Sequence, residues 1–151
     1  MATLPVGSSR GFSLLELLVV LAIIGLLLTL TPLVFSGTID RLRLESTARE
    51  LASALRVTRA RAISLQTPQA LAVYLEAPHY QGPANPEPRT LPAEFGYQLI
   101  VSESERLGPK GGSIRFYPDG SSTGGRIEVR AAGADWAVDV DWLTGRVALL
   151  E

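Results

Sequence analysis

Arg10-Gly11-Phe12-Ser13-Leu14-Leu15-Glu16-Leu17-Leu18-Val19-Val20-Leu21 opens an apolar run that continues to Phe35 and carries one charge, Glu16. From Leu14 to Phe35, at about 1.5 Å per residue, a helix would be roughly 33 Å long, enough for a bilayer core of about 30 Å. A carboxylate inside such a span is costly, roughly 3 kcal/mol at mid-membrane and less near an interface. Part of the cost can be met locally. Ser13-Leu14-Leu15-Glu16 fits a capping box, in which each polar side chain satisfies an N–H at the helix start. The helix dipole adds about 0.3–1 kcal/mol for an acid in the first turn. Neither effect accounts for the short polar leader or for Gly-Phe directly before the cap.

Gly11-Phe12-Ser13-Leu14-Leu15-Glu16, with Leu17-Leu18-Val19-Val20-Leu21-Ala22-Ile23-Ile24-Gly25 after it, resembles the N-terminal signature of the type IV prepilin family. The resemblance implies a leader at 1–11, cleavage between Gly11 and Phe12 by a membrane-embedded prepilin peptidase, and N-methylation of Phe12. An ordinary secretory signal has an apolar region of about 7–15 residues and is cut after it. Val34-Phe35-Ser36 would serve as such a site, but a 22-residue core containing Glu16 argues against it. A freed Phe12 α-amine, with a pKa of about 8 in peptides, is mostly cationic at neutral pH. The resemblance implies that Glu16 of one subunit meets the Phe12 amine of its neighbour as helices stack into a filament. An ion pair in apolar surroundings is poorly screened, and either charge left alone is penalised, so assembly is favoured.

Composition fits an anchored, exported domain: 151 residues, 46% apolar, one His, no Cys and a net charge of −1. Without cysteine there is neither a disulfide framework nor thiol chemistry. Arg10, the only charge before the span, favours a cytoplasmic N-terminus. The expected topology is a single pass of a bacterial inner membrane, with a filament-core helix at 12–36 and a periplasmic head at 37–151.

Pro32 and Ser36-Gly37 should kink or weaken the helix without ending it. Beyond them Leu44, Ala48, Leu51, Leu55, Ala62 and Leu65 recur at helical spacing, an amphipathic continuation over 38–65. Arg41, Arg43, Arg49, Arg56, Arg59 and Arg61 line its other faces as a solvated, basic surface, and with three acids give the segment a net charge of +3. After Pro68 the period switches to two. Leu71 to Leu75, Tyr97 to Val101, Ile114 with Phe116, and Ile127 with Val129 read as strands. In Trp136-Ala137-Val138-Asp139-Val140-Asp141-Trp142, two Trp and two Val share one face and two Asp the other. Thr144-Gly145 turns the chain into Val147 to Leu150. The predicted fold class is α+β, a long N-terminal helix packed on an antiparallel head of two small sheets. Residues 66–151 hold seven basic and eleven acidic residues, net −4.

Phe116-Tyr117-Pro118-Asp119-Gly120-Ser121-Ser122-Thr123-Gly124-Gly125-Arg126-Ile127, followed by Trp136-Ala137-Val138 and Trp142-Leu143-Thr144-Gly145-Arg146-Val147, resembles the GspH family of minor pseudopilins, close to the FimT minor pilins. The resemblance covers most of the chain and is weakest at 76–112. It implies a structural subunit of the type II secretion pseudopilus, which helps export folded proteins across the outer membrane. The implied partners are prepilin peptidase, other major and minor pseudopilins, the inner-membrane assembly platform and the membrane itself. The alternative is a FimT-like minor pilin in pilus assembly or DNA uptake. DNA binding requires a basic patch. The C-terminal stretch has Arg146 against Asp135, Asp139, Asp141 and Glu151, and Gly145-Arg146-Val147-Ala148 keeps only the first Arg of the FimT motif. Nucleic acid is therefore not an expected partner.

No catalytic, cofactor or metal site is expected. Gly120-Ser121-Ser122-Thr123-Gly124 matches a nucleophile elbow but joins two strands, and the only His, His79, precedes it. A glycine-rich hairpin is the better description. His79 lacks partners for zinc, and Asp139 and Asp141 are spaced as solvated side chains on a strand. Gly25 and Thr29 are small residues of a kind common in membrane helices. Glu76 to Pro92 holds five prolines and no periodic pattern, so it is either a mobile connection or a partner-binding loop. In the second case Tyr80 is the aromatic anchor, beside His79.

Overall fold

The computed structural model describes residues 13–131 and 133–151, with the backbone alone for 27–38. Two compact units are present, one running to Ser36 and the other Gly37–Glu151. The helix α1, Leu14–Leu65, is a single 52-residue element that neither Pro32 nor Ser36-Gly37 ends. At its start Ser13 Oγ accepts the Leu15 N–H at 3.3 Å and the Ser13 carbonyl accepts that of Leu17 at 3.2 Å. In the first unit Leu14, Leu15, Leu18, Leu21 and Ile23 are exposed and form an apolar surface. Among the described residues no helix is long and apolar enough to cross a membrane. The later part of the span expected from the sequence falls where side chains lie outside the described residues.

In the second unit α1 buries Leu44, Ala48, Leu51, Ala52, Leu55 and Ala62. Thr47 and Thr58 join this face because their hydroxyls donate to the carbonyls one turn back, Arg43 at 2.9 Å and Ala54 at 2.8 Å. Leu65, expected in the stripe, is exposed. The helix ends there, with Gln66 in a left-handed turn at φ 51°.

Eight strands follow: β1 Gln69–Tyr74, β2 His79–Gly82, β3 Asn85–Thr90, β4 Gly96–Val101, β5 Gly111–Phe116, β6 Gly125–Ala131, β7 Ala134–Val140 and β8 Val147–Leu150. They form two four-stranded sheets, ordered β3-β2-β1-β5 and β4-β6-β7-β8. Every pairing is antiparallel, with Leu71 opposite Ile114 in the first sheet and Ile127 opposite Val138 in the second. One core joins the helix face to Leu71, Val73, Ile114 and Phe116 of the first sheet and Ile127, Val129, Val138 and Val140 of the second. Each such side chain stabilises the fold by about 1.5–3 kcal/mol relative to exposure.

Three expectations are corrected. The stretch from Glu76 to Pro92 is not an aperiodic loop but the β2–β3 hairpin, with Tyr80 opposite Arg89. Pro86 and Pro88 lie on β3, an edge strand where a missing N–H costs little, and β3 is so exposed that it shows no alternation. Tyr80 is 2% exposed and belongs to the core. Trp142 does not share the inward face of Val138 and Val140, because β7 stops at Val140 and Trp142 is 66% exposed. The glycine-rich stretch 120–124 is not a simple hairpin between neighbours. A tight turn closes between Tyr117 and Ser121, with 2.9 Å bonds from Tyr117 N–H to the Ser121 carbonyl and from Gly120 N–H to that of Tyr117. The chain then crosses from β5 in one sheet to β6 in the other.

Candidate functional site

Two turns, 117–121 and 141–146, meet the helix at Arg59. Its Nε donates to the Gly120 carbonyl at 3.0 Å and its Nη2 to the Thr144 carbonyl at 2.9 Å. Each turn is closed by an aspartate. Asp119 accepts from Ser121 N–H at 2.9 Å and from its hydroxyl at 2.6 Å. Asp141 accepts from Thr144 N–H and hydroxyl, both at 2.7 Å. These donors hold both carboxyls below the usual aspartate range, the serine and threonine hydroxyls contributing most. Asp141 is thus a turn cap, where strand spacing suggested a solvated side chain. Gly145 sits where the turns touch, at φ 62°; a Cβ there would lie 2.1 Å from the Gly120 carbonyl oxygen and 2.8 Å from Arg59 Nε. Only glycine fits this approach.

Beside this junction Arg56, Arg59, Thr144, Gly145, Arg146 and Val147 line an open groove of about 470 Å³. Arg56 Nη2 donates to the Val147 carbonyl at 3.3 Å. Farther along the helix Arg61 reaches the Pro83 carbonyl at 2.5 Å. The sequence predicts a solvated face for the helix arginines; three of them instead bond backbone carbonyls of the head, Arg59 at two turns, Arg56 at the start of β8 and Arg61 between β2 and β3. No sequence pattern identifies such acceptors, although Gly120 and Thr144-Gly145 mark the turns that supply them.

A second charged cluster, at Glu105, Ser113 and Arg115, carries no signature in the sequence. Glu105, 7% exposed in a 3-10 turn at Glu103–Glu105, accepts from Arg115 Nε at 2.8 Å and Nη2 at 3.3 Å, and from the Ser113 hydroxyl. Burial pushes its carboxyl up, but the bonds from Arg115 and Ser113 outweigh it and hold the group below the usual range. This cluster ties the β4–β5 connection to β5.

Gly11 and Phe12 lie outside the described residues, and Glu16 is exposed in the first turn of α1. His79 stacks on Tyr74 with ring centroids 4.7 Å apart, and its Nδ1 lies 2.6 Å from the Ala77 carbonyl. The Tyr80 hydroxyl donates to Glu50 Oε1 at 2.7 Å, and Arg89 Nη2 donates to the same oxygen at 3.0 Å. Burial, followed by the Glu50 bond and charge, pushes the Tyr80 hydroxyl up to about 12. His79 and Tyr80 therefore do not form one exposed patch: the histidine caps a sheet ring and the tyrosine fastens the hairpin to the helix. Among the described residues no three His, Cys, Asp or Glu side chains are grouped to hold a metal ion.

The chain matches the family Type II transport protein GspH over residues 47–145 and the prokaryotic N-terminal methylation motif over residues 7–31. It is 38% identical over 138 residues to the type II secretion system protein H of Xanthomonas campestris pv. campestris, covering 91% of this chain and 81% of that one. Its fold is similar to that of the Pseudomonas aeruginosa type IV minor pilin FimU. One crystal form gives a TM-score of 0.56 at 15% identity, covering 74% of this chain and 90% of that one. A second gives 0.54 at 13%, covering 72% and 93%. The matched GspH region takes in Arg56, Arg59, Gly120 and Gly145, the residues of the helix–turn junction.

Proposed function

The chain belongs to the GspH family of type II transport proteins, and we propose that it works as a minor pseudopilin, a structural subunit of the pseudopilus that helps export folded proteins across the outer membrane. The observation that carries this reading is the tandem match: a methylation motif at residues 7–31 directly ahead of a GspH head at 47–145. The anchor segment and the head are thus joined in the order a pilin-like subunit requires.

On this reading residues 1–11 are a leader that prepilin peptidase removes between Gly11 and Phe12, and Phe12 is then N-methylated. Residues 12–36 anchor the protein in the inner membrane and form its part of the filament core, with the head in the periplasm. The exposed apolar residues Leu14 to Ile23 support this role, since they need a bilayer or neighbouring helices to cover them. Glu16 supplies the carboxylate for the Phe12 amine of the next subunit. In apolar surroundings that pair is poorly screened, and each charge alone is penalised. Other pseudopilins and the assembly platform are the partners.

Glu16→Leu tests the pairing. The variant should insert at least as well as the parent, yet crosslink poorly to other pseudopilins and support secretion badly. Normal secretion and normal crosslinking would remove the amine pairing from the proposal.

A further inference from the structure

We propose that the groove of Arg56, Arg59 and Arg146, together with the Trp142-Leu143 turn beside it, is a docking site for a carboxylate-bearing segment of a neighbouring subunit. This rests on the pseudopilin reading and adds to it a defined surface and the chemistry of its partner.

Charge is the first argument. Arg49, Arg89, Arg106, Arg115, Arg126 and Arg130 all pair with acidic side chains of this chain. Among the described residues Arg41, Arg43, Arg56, Arg59, Arg61 and Arg146 have no carboxylate within ion-pair distance; Arg56, Arg59 and Arg146 line one groove, and Asp141 acts on Arg146 only through its charge. Arg56 and Arg59 donate to backbone carbonyls, which position the guanidinium groups without neutralising them. Arg59 gives its Nε and Nη2 to those carbonyls, which leaves its Nη1, together with the Arg146 guanidinium, for a carboxylate.

The turn itself is the second. Trp142 and Leu143 are 66% and 63% exposed. They are not on a loose segment: Asp141 closes the turn, and the Trp142 carbonyl accepts the Ser122 N–H at 2.9 Å. The same turn supplies Thr144 to Arg59 and Arg146 to the groove. A rigid, exposed aromatic next to arginines has the composition of a protein interface anchor. A long polyanion fits less well. Asp119 and Asp141 close the two turns, and the +3 of residues 38–65 with the −4 of 66–151 leaves the unit at −1, with no broad positive surface for a run of phosphates but room for a local carboxylate.

The test is photo-crosslinking in cells that carry the whole secretion system, with a photoreactive amino acid at position 143 of the full chain and a second probe at position 18. The 143 probe should capture another pseudopilus subunit through a peptide containing Asp or Glu. Trp142→Ala or Arg146→Glu should reduce the yield by on the order of tenfold or more, as for an interface anchor. Arg146→Lys should retain much of it, and reversing the mapped carboxylate to Lys should rescue Arg146→Glu. Capture by the 18 probe alone overturns the docking site and leaves the pseudopilin reading standing. Failure of both probes overturns both. Nucleic acid as the crosslinked species, or a yield indifferent to Arg146→Glu, also overturns the site. Unchanged far-ultraviolet circular dichroism of each variant separates loss of binding from loss of fold.

Discussion

Arg59 donates to the Gly120 carbonyl at 3.0 Å, so a side chain of the helix closes a turn 61 residues further along the chain. Its second bond, to Thr144, recruits the turn after β7. Arg59→Ala is expected to lower the stability of the head by about 2 kcal/mol or more, the scale of lost bonds to a charged group. Arg59→Lys should recover little, since a single ammonium cannot span both carbonyls. Urea denaturation of residues 37–151 measures both variants.

Gly145→Ala probes the same junction from the other side. Its left-handed backbone costs an alanine about 1–2 kcal/mol, and the added Cβ would also collide with the Gly120 carbonyl. A midpoint lowered by more than the conformational cost alone is the expected result. Gly133→Ala is the control, because it has positive φ but nothing within 4 Å of the added carbon.

The sequence reveals the helix, the period-two strands and the α+β class because those depend on which residues face the core. Leu44, Ala48, Leu51, Leu55 and Ala62 were readable at helical spacing, and Ile127 with Val129 by alternation. The hairpin at β2–β3 was not, because an edge strand with Pro86 and Pro88 has no buried face to betray it. Trp142 continued the alternation of β7 on paper. Asp141 breaks it by taking Thr144 N–H, a local bond that competes with the sheet. The arginine junction was hidden for another reason. Its acceptors are main-chain carbonyls, and any residue type supplies one.

Glu105 makes the head acid-sensitive. Its folded pKa lies below the unfolded value of about 4.3, so its contribution is complete above that pH and is lost as pH falls through the folded value. Glu105→Gln should cost about 1–3 kcal/mol at pH 7. It should also flatten the loss of stability below pH 4.3. Denaturation midpoints from pH 2 to 7 show whether it does.

Tyr80 contributes to the loss of stability at alkaline pH. Its hydroxyl is raised to about 12, so the folded state keeps a proton that the unfolded chain releases near pH 10. Its stabilising contribution is complete below pH 10 and is lost as pH rises toward 12. Tyr97, raised by burial and by the charges of Glu94 and Glu50, acts in the same direction. Tyr80→Phe should therefore lower stability at neutral pH, through the lost Glu50 bond, while reducing its fall above pH 10. Alkaline melts of the two proteins distinguish this from a purely steric role.

Processing at the N-terminus tests the pseudopilin reading most directly. Intact-mass analysis of the protein extracted from membranes of secretion-competent cells gives the mature terminus in one measurement. A chain beginning at N-methylated Phe12 is the predicted result. A chain beginning at Gly37, as an ordinary secretory signal would leave it, or one still carrying residues 1–11, would contradict it.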